Sequence, residues 1–246
     1  MKMNTLAQPL ILTVIVLTAA LSSKAQTLLT NGGFESPGLA SPTNFFPGPW
    51  TSVLPNGSTA VTGWVSVDNV PSGTAGADNV YCRAPYYGSA ASEGEHFIYI
   101  DNNNYASPSL NGIYQDFSSL PGQNYQVTFD ASTELGGSAG ALAASAGGVT
   151  VHFTLPNSGL PPVSGPPWTP FPGWFNYSFT FTANASTTRL QFYDEGFQIG
   201  GDPLLGNASP LLDNVVVTAV PEPSSYAVLA GLCGLCFAAY RRRKVC

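Results

Sequence analysis

Asp213 stands inside the run Leu211-Leu212-Asp213-Asn214-Val215, a strand-like stretch that is otherwise apolar except for Asn214. A carboxylate buried alone among such neighbours is very costly, so Asp213 must reach water or a compensating partner. Between Gln26 and Pro223 the only bases are Arg83 and Arg189, which makes a bound cation one candidate partner. Glu35, following the turn Asn31-Gly32-Gly33, is the natural second ligand if the first and last strands are neighbours. The alternative is that Asp213 caps a bulge and Glu35 is solvated.

Aromatic side chains offer a different chemistry. A pyranose ring has an apolar face as well as hydroxyls, so sugar sites set flat aromatics beside a few polar groups. Trp168 and Phe171 in a Pro-rich loop, with Tyr86-Tyr87 between Pro85 and Gly88, have the composition of such a ligand-binding platform. Their alternative role is to cover an open end of the domain. Trp50, Trp64 and Trp174 sit nearer to strand patterns and are expected in the core.

Catalytic signatures are weak by comparison. His96 and His152 lie in strand patterns and accompany no nucleophile motif of the G-x-S-x-G type. Glu93, Glu95 and His96 lack convincing metal-ligand spacing and read as a solvated strand entry. Asp194-Glu195 has the residue type of a glycosidase carboxylate, but its distance from a second acid is not set by sequence. A non-enzymatic protein is expected.

The elements that must position these groups are strands. Gly (26) and Pro (21) are abundant and only 9% of residues are charged, which favours short strands joined by many turns. Tyr125, Val127 and Phe129 alternate with Gln126, Thr128 and Asp130; Phe175, Tyr177, Phe179 and Phe181 alternate with Asn176, Ser178, Thr180 and Thr182. Each run has one buried and one solvated face. Seven further runs, at 27–31, 61–67, 96–101, 112–117, 149–155, 189–194 and 211–218, bring the expectation to about nine antiparallel strands in an all-β, two-sheet sandwich. The Gly/Ala/Ser-rich stretch 134–148 reads as a mobile loop, and the Pro-rich stretch 156–173 as a stiff one.

Both ends read as addresses flanking one domain over 26–219. Lys2, the apolar run 10–21 and the small residues Ser23 and Ala25 have the order of a secretory signal over 1–25. At the other end, prolines keep Pro221-Glu222-Pro223 extended and open to processing. The uncharged helix expected over 226–240 is roughly 22 Å long, short of a ~30 Å hydrocarbon core unless Tyr and Arg ends snorkel. Arg241, Arg242, Arg243 and Lys244 should stay cytoplasmic, leaving the domain outside. Between 26 and 223 the chain carries 2 basic and 14 acidic residues, net −12, which argues against nucleic acid and anionic lipid as partners. Cys233 and Cys236 have CxxC spacing but fall inside the apolar helix, and Cys82 is alone in the domain, so no disulfide can form within it.

The tail 220–246, with Pro221-Glu222-Pro223, apolar stretch and arginine cluster in that order, resembles the PEP-CTERM sorting signal of Gram-negative bacteria. That resemblance implies recognition by an exosortase-type processing enzyme and delivery to the cell surface or extracellular matrix, with at least transient anchoring in the inner membrane.

The domain carries a second resemblance. Leu28-Leu29-Thr30-Asn31-Gly32-Gly33-Phe34-Glu35, Gly112-Ile113-Tyr114-Gln115, Pro121-Gly122-Gln123-Asn124-Tyr125 and Leu211-Leu212-Asp213-Asn214-Val215 resemble the galactose-binding-like jelly rolls, including many carbohydrate-binding modules and the DUF642 proteins. The likeness implies a structural Ca²⁺ held by the motifs containing Glu35 and Asp213, and extracellular polysaccharide as partner. A structural coat or adhesion protein and a secreted hydrolase are the alternatives.

Overall fold

The computed structural model describes residues 27–37, 51–67, 79–83, 90–100, 111–133, 140–156, 173–195, 209–221, 231–236 and 240–241. The signal segment, Trp50, Tyr86, Tyr87, Trp168, Phe171, Glu222, Pro223, Arg242 and Arg243 lie outside them. Residues 231–236 are helical, and among the described residues no helix is long and apolar enough to cross a membrane.

Eleven strands follow one another: β1 (Thr51–Leu54), β2 (Val65–Val67), β3 (Asn79–Arg83), β4 (His96–Tyr99), β5 (Gly112–Ser118), β6 (Asn124–Thr133), β7 (Gly140–Ala146), β8 (Val149–Leu155), β9 (Phe175–Thr182), β10 (Thr187–Asp194) and β11 (Pro210–Ala219). They form two antiparallel sheets, a six-stranded one in the order β1-β3-β4-β11-β6-β9 and a five-stranded one in the order β2-β5-β10-β7-β8. The expected all-β jelly-roll sandwich is therefore the fold, with β1, β3 and β7 added to the strands read from sequence.

Between the sheets lies a core built by alternation. Val127 and Phe129 on β6, Leu190 and Phe192 on β10, and Leu142 on β7 all point inward with no exposed surface. Burying each of the larger ones contributes about 1.5–3 kcal/mol. The aromatic rings of Phe129, Phe153 and Phe192 meet edge to face, the arrangement their quadrupoles favour. Trp64 is buried as expected, its indole N–H donating to the Asn31 carbonyl at 2.9 Å.

Residues 27–31, expected as the first strand, form no strand. They run beside β11 with only two backbone bonds, Leu28 N–H to Val217 O and Val215 N–H to Gly32 O, both 2.9 Å. The chain leaves the extended path because Asn31 and Phe34 adopt left-handed φ angles of 56° and 60°. Gly32 is required at this crossing, since a Cβ there would sit 1.9 Å from the Val215 carbonyl oxygen. The second correction is β7, which crosses the stretch expected to be a mobile loop. Its sequence Gly-Ala-Leu-Ala-Ala-Ser-Ala puts small residues on both faces, so period-two contrast is lost although the strand lies inside its sheet.

Candidate functional site

Glu35 and Asp213 do converge on one segment, residues 92–96, but through groups that donate protons. Asp213 is fully buried, and its carboxylate accepts the backbone N–H of Ser92 (2.7 Å), Glu93 (3.0 Å) and Asn214 (2.7 Å). Glu35 accepts the N–H of Glu95 and of His96, each at 2.8 Å, and pairs with His96 Nδ1 at 2.9 Å. Burial is the largest influence on Glu35 and raises its pKa, yet the bonds from His96 and Glu95 outweigh it and hold the carboxyl below its ordinary value. For Asp213, burial wins over its three N–H donors and pushes the pKa up to about 7.

The oxygens of both carboxylates are thus engaged by N–H groups and His96, so a calcium ion held by Glu35 and Asp213 would have to share or displace these bonds. Among the described residues no three His, Cys, Asp or Glu side chains gather in one place. Asp213 also caps a bulge: the β11–β6 register shifts between Asp213 and Val216, and Asn214 turns left-handed there with φ 50°. The cross-strand neighbour of Asp213 is Asp130, a like-charge pair that would be destabilising unless relieved. Asp130 is relieved by Asn176 (2.9 Å), Asn214 (3.0 Å) and the Ser92 hydroxyl. The carboxylates thus clamp segment 90–96 over a small apolar cluster of Cys82, Phe97, Tyr99 and Leu211, where Trp174 packs and donates to the Ala90 carbonyl at 2.8 Å.

The outer face of the five-stranded sheet has a different character. Alternation turns Tyr114 and Asp116 of β5, Arg189, Gln191 and Tyr193 of β10, and Thr150 and His152 of β8 away from the core. Register sets them in rows. Tyr114 lies opposite Gln191, which lies opposite Ser145 and then Thr150; Tyr193 lies opposite Ala143 and then His152. Arg189 forms a bidentate pair with Asp116 at 2.8 and 2.9 Å, and its guanidinium carbon lies 3.7 Å from the centre of the Tyr114 ring. The pair lowers the Asp116 pKa and raises that of Arg189, so both charges persist across the ordinary pH range.

His152 and Glu195 close the far side of this face. Glu195 is nearly buried, and its carboxylate meets His152 Nδ1 at 2.6–2.7 Å. The pair bridges over β7, where Ala141 and Ala143 leave room that a larger side chain would fill. Burial and the charge of Glu195 raise the pKa of Tyr193, with Thr150 acting in the opposite sense, which keeps its phenol protonated as a donor. Beside these rows an open recess of about 410 Å³ is lined by Ser145, Gly148, Thr150, Asn184, Arg189 and Gln191. With its charges paired, the face offers aromatic surface and hydrogen-bonding groups with little net charge.

Sequence reasoning assembled none of this face as a site. The sequence presents His152 without a nucleophile motif, Asp194-Glu195 as acids of no set separation, and Arg189 only as a base. The available signal was the alternation of Arg189, Gln191 and Tyr193 with Leu190 and Phe192. Tyr86, Tyr87, Trp168 and Phe171, the expected platform, lie outside the described residues.

A family model described as "Protein of unknown function (DUF642)" matches residues 27–218. The chain belongs to the DUF642 family. No curated protein matches this DUF642 chain. Among solved structures it is similar to TmCBM61 in complex with beta-1,4-galactotriose, at 17% identity over 80% of this chain and 100% of that one, with a TM-score of 0.39. A putative sugar binding protein from Bacteroides thetaiotaomicron gives 12% identity over 79% and 100%, with a TM-score of 0.47. The CBM22-1 xylan-binding domain of Xyn10C from Paenibacillus barcinonensis gives 12% over 70% and 94%, with a TM-score of 0.37. All three are likenesses of chain course.

Proposed function

We propose that this DUF642 chain is an exported, non-catalytic protein that binds neutral extracellular polysaccharide on the outer face of its five-stranded sheet. The observation that carries this reading is the Tyr114–Arg189–Asp116 stack set beside the row Gln191, Ser145 and Thr150. A guanidinium held over an aromatic ring offers a weakly hydrated, charged and aromatic surface together, and the neighbouring amide and hydroxyls suit the equatorial hydroxyls of a sugar. His152, more than half exposed, keeps Nε2 available while Nδ1 is committed to Glu195.

Pro221-Glu222-Pro223, the apolar stretch after it and Arg241 to Arg243 support sorting to the cell surface by an exosortase-type enzyme. Deleting 220–246 should then send the chain into the medium rather than to the surface.

A glycan array followed by affinity electrophoresis tests the binding face. Tyr114→Ala and Arg189→Ala should each weaken retention at least tenfold with the fold intact by circular dichroism. If both variants keep full retention while Trp168→Ala and Tyr86→Ala lose it, the ligand sits on the loop platform and the sheet-face assignment is wrong. Release of shorter glycans by the unsubstituted chain would overturn the non-catalytic reading.

A further inference from the structure

The two long sides of the sandwich are finished differently. On one side the outermost strands are β1, of 4 residues, and β2, of 3. The free edge of β2 is already covered: Gly57 N–H donates to Ser66 O at 2.8 Å, and Ser66 N–H donates to Ser58 O at 2.9 Å. On the other side the outermost strands are β8, of 7 residues, and β9, of 8. No backbone group of β8 or β9 bonds to anything beyond its own sheet neighbour among the described residues. Natural edges are usually blunted by charge, proline, bulges or shortness. Val-Thr-Val-His-Phe-Thr-Leu and Phe-Asn-Tyr-Ser-Phe-Thr-Phe-Thr contain no proline, no acid and no Lys or Arg.

The core is also incompletely sealed on that side. The partly buried hydrophobics packed against the main core are Val151, Phe153 and Tyr177, all on β8 or β9. Phe153 lies against Tyr177 with ring centroids 5.3 Å apart, so the two free edges are stacked one above the other across the sandwich. A single extended peptide could complete one edge. Completing both demands a partner that itself presents two stacked edges and an apolar seam between them.

We infer that the β8/β9 side is a self-association surface, on which a second copy of this chain adds β9 to β9 in one sheet and β8 to β8 in the other. A two-fold axis perpendicular to the sheets makes both pairings antiparallel at once, an isologous contact. Pairing over the length of β9 spans ~27 Å and, across two layers, buries roughly 1,000 Å² in total, at the lower end of specific interfaces. Charge favours the same choice. The chain is acidic, with 14 Asp and Glu against 8 Lys and Arg, and neither edge strand contributes an acid to repel its copy.

Sedimentation velocity on the full-length chain in detergent micelles, over a concentration series, tests this. The unsubstituted chain should shift from the mass of one copy to that of two. Ser178→Lys with Thr180→Lys, both at exposed positions near the centre of β9, should hold it at one copy with the melting temperature that the unsubstituted chain has when dilute enough to be single. Thr154→Lys on β8 should weaken pairing in the same sense, whereas Ser118→Lys, on the exposed end of β5, should leave it intact. A single-copy mass for the unsubstituted chain overturns the inference, as does pairing that survives S178K/T180K. Neither outcome depends on glycan binding, which is read separately.

Discussion

Replacing Asp213 by Asn exchanges a buried ionisable clamp for a neutral one of nearly the same shape, and its effect should change sign with pH. The folded pKa of about 7 lies above the ordinary aspartate value of 3.8. Between those values the folded chain keeps a proton that the unfolded chain releases, so stability falls as pH rises through the window. At about 1.4 kcal/mol per pH unit, the loss from Asp213 amounts to about 4 kcal/mol once pH exceeds 7. The variant escapes that loss but carries its own. An amide has one accepting oxygen, and its NH2 must face at least one of the N–H groups of Ser92, Glu93 and Asn214, leaving a buried donor unpaired at a cost of about 1–3 kcal/mol. Because about 1 kcal/mol of that loss has already occurred by pH 4.5, Asp213→Asn should be less stable than the parent there by up to about 2 kcal/mol and more stable by about 1–3 kcal/mol near pH 8. Urea unfolding followed through the fluorescence of the buried Trp64 reads both values, and other titrating groups cancel in the difference. A gap that keeps one sign and size from pH 4.5 to 8 would refute the assignment of a raised pKa to this carboxyl.

Three further outcomes follow from the same contacts. Because N–H groups already engage Glu35 and Asp213, chelator should leave the melting temperature of the purified chain unchanged; a fall of several degrees reversed by calcium would place a metal at this clamp. Gly32→Ala should destabilise by at least about 2 kcal/mol, since the added Cβ meets a backbone oxygen at 1.9 Å and neither partner is a flexible side chain; equilibrium unfolding would show it, and a neutral result would mean the 27–34 segment is not seated against β11. Ala143→Leu should push apart the His152–Glu195 pair that crosses β7 and weaken glycan retention severalfold while Ser118→Ala does not; equal retention would remove that pair from the binding face.

Strands with strong contrast between faces were legible in the sequence. The expected bounds of β8 and β9 coincide with the structure, because Val, Phe and Tyr alternate there with Thr, Asn and Ser. β7 was not legible, because alanine is small enough for either side of a sheet and leaves no contrast to read. Nor could the sequence distinguish the partner of Asp213. A scarcity of basic side chains points to a cation, whereas the fold brings main-chain amides to the carboxyl, which every residue but proline carries and composition therefore hides. The proposed binding face depends on register across four strands, β5, β10, β7 and β8. The neighbours Tyr114 and Gln191, or Ala143 and His152, are set by pairing far along the chain or by a turn, and neither can be read from local spacing.

The position of β11 has a mechanical consequence. It is the last strand before residue 220, yet it lies inside the six-stranded sheet, flanked by β4 and β6. Tension applied through residue 220 along the strand must shear its bonds to β6 together, whereas a terminal edge strand can be unzipped one bond at a time. Segment 27–34 is stitched across the same strand by Leu28 and Val215. A domain held by its carboxy-terminal end against flow, with its sheet face engaged on a polymer, would thus be gripped through a strand loaded in shear rather than one that peels.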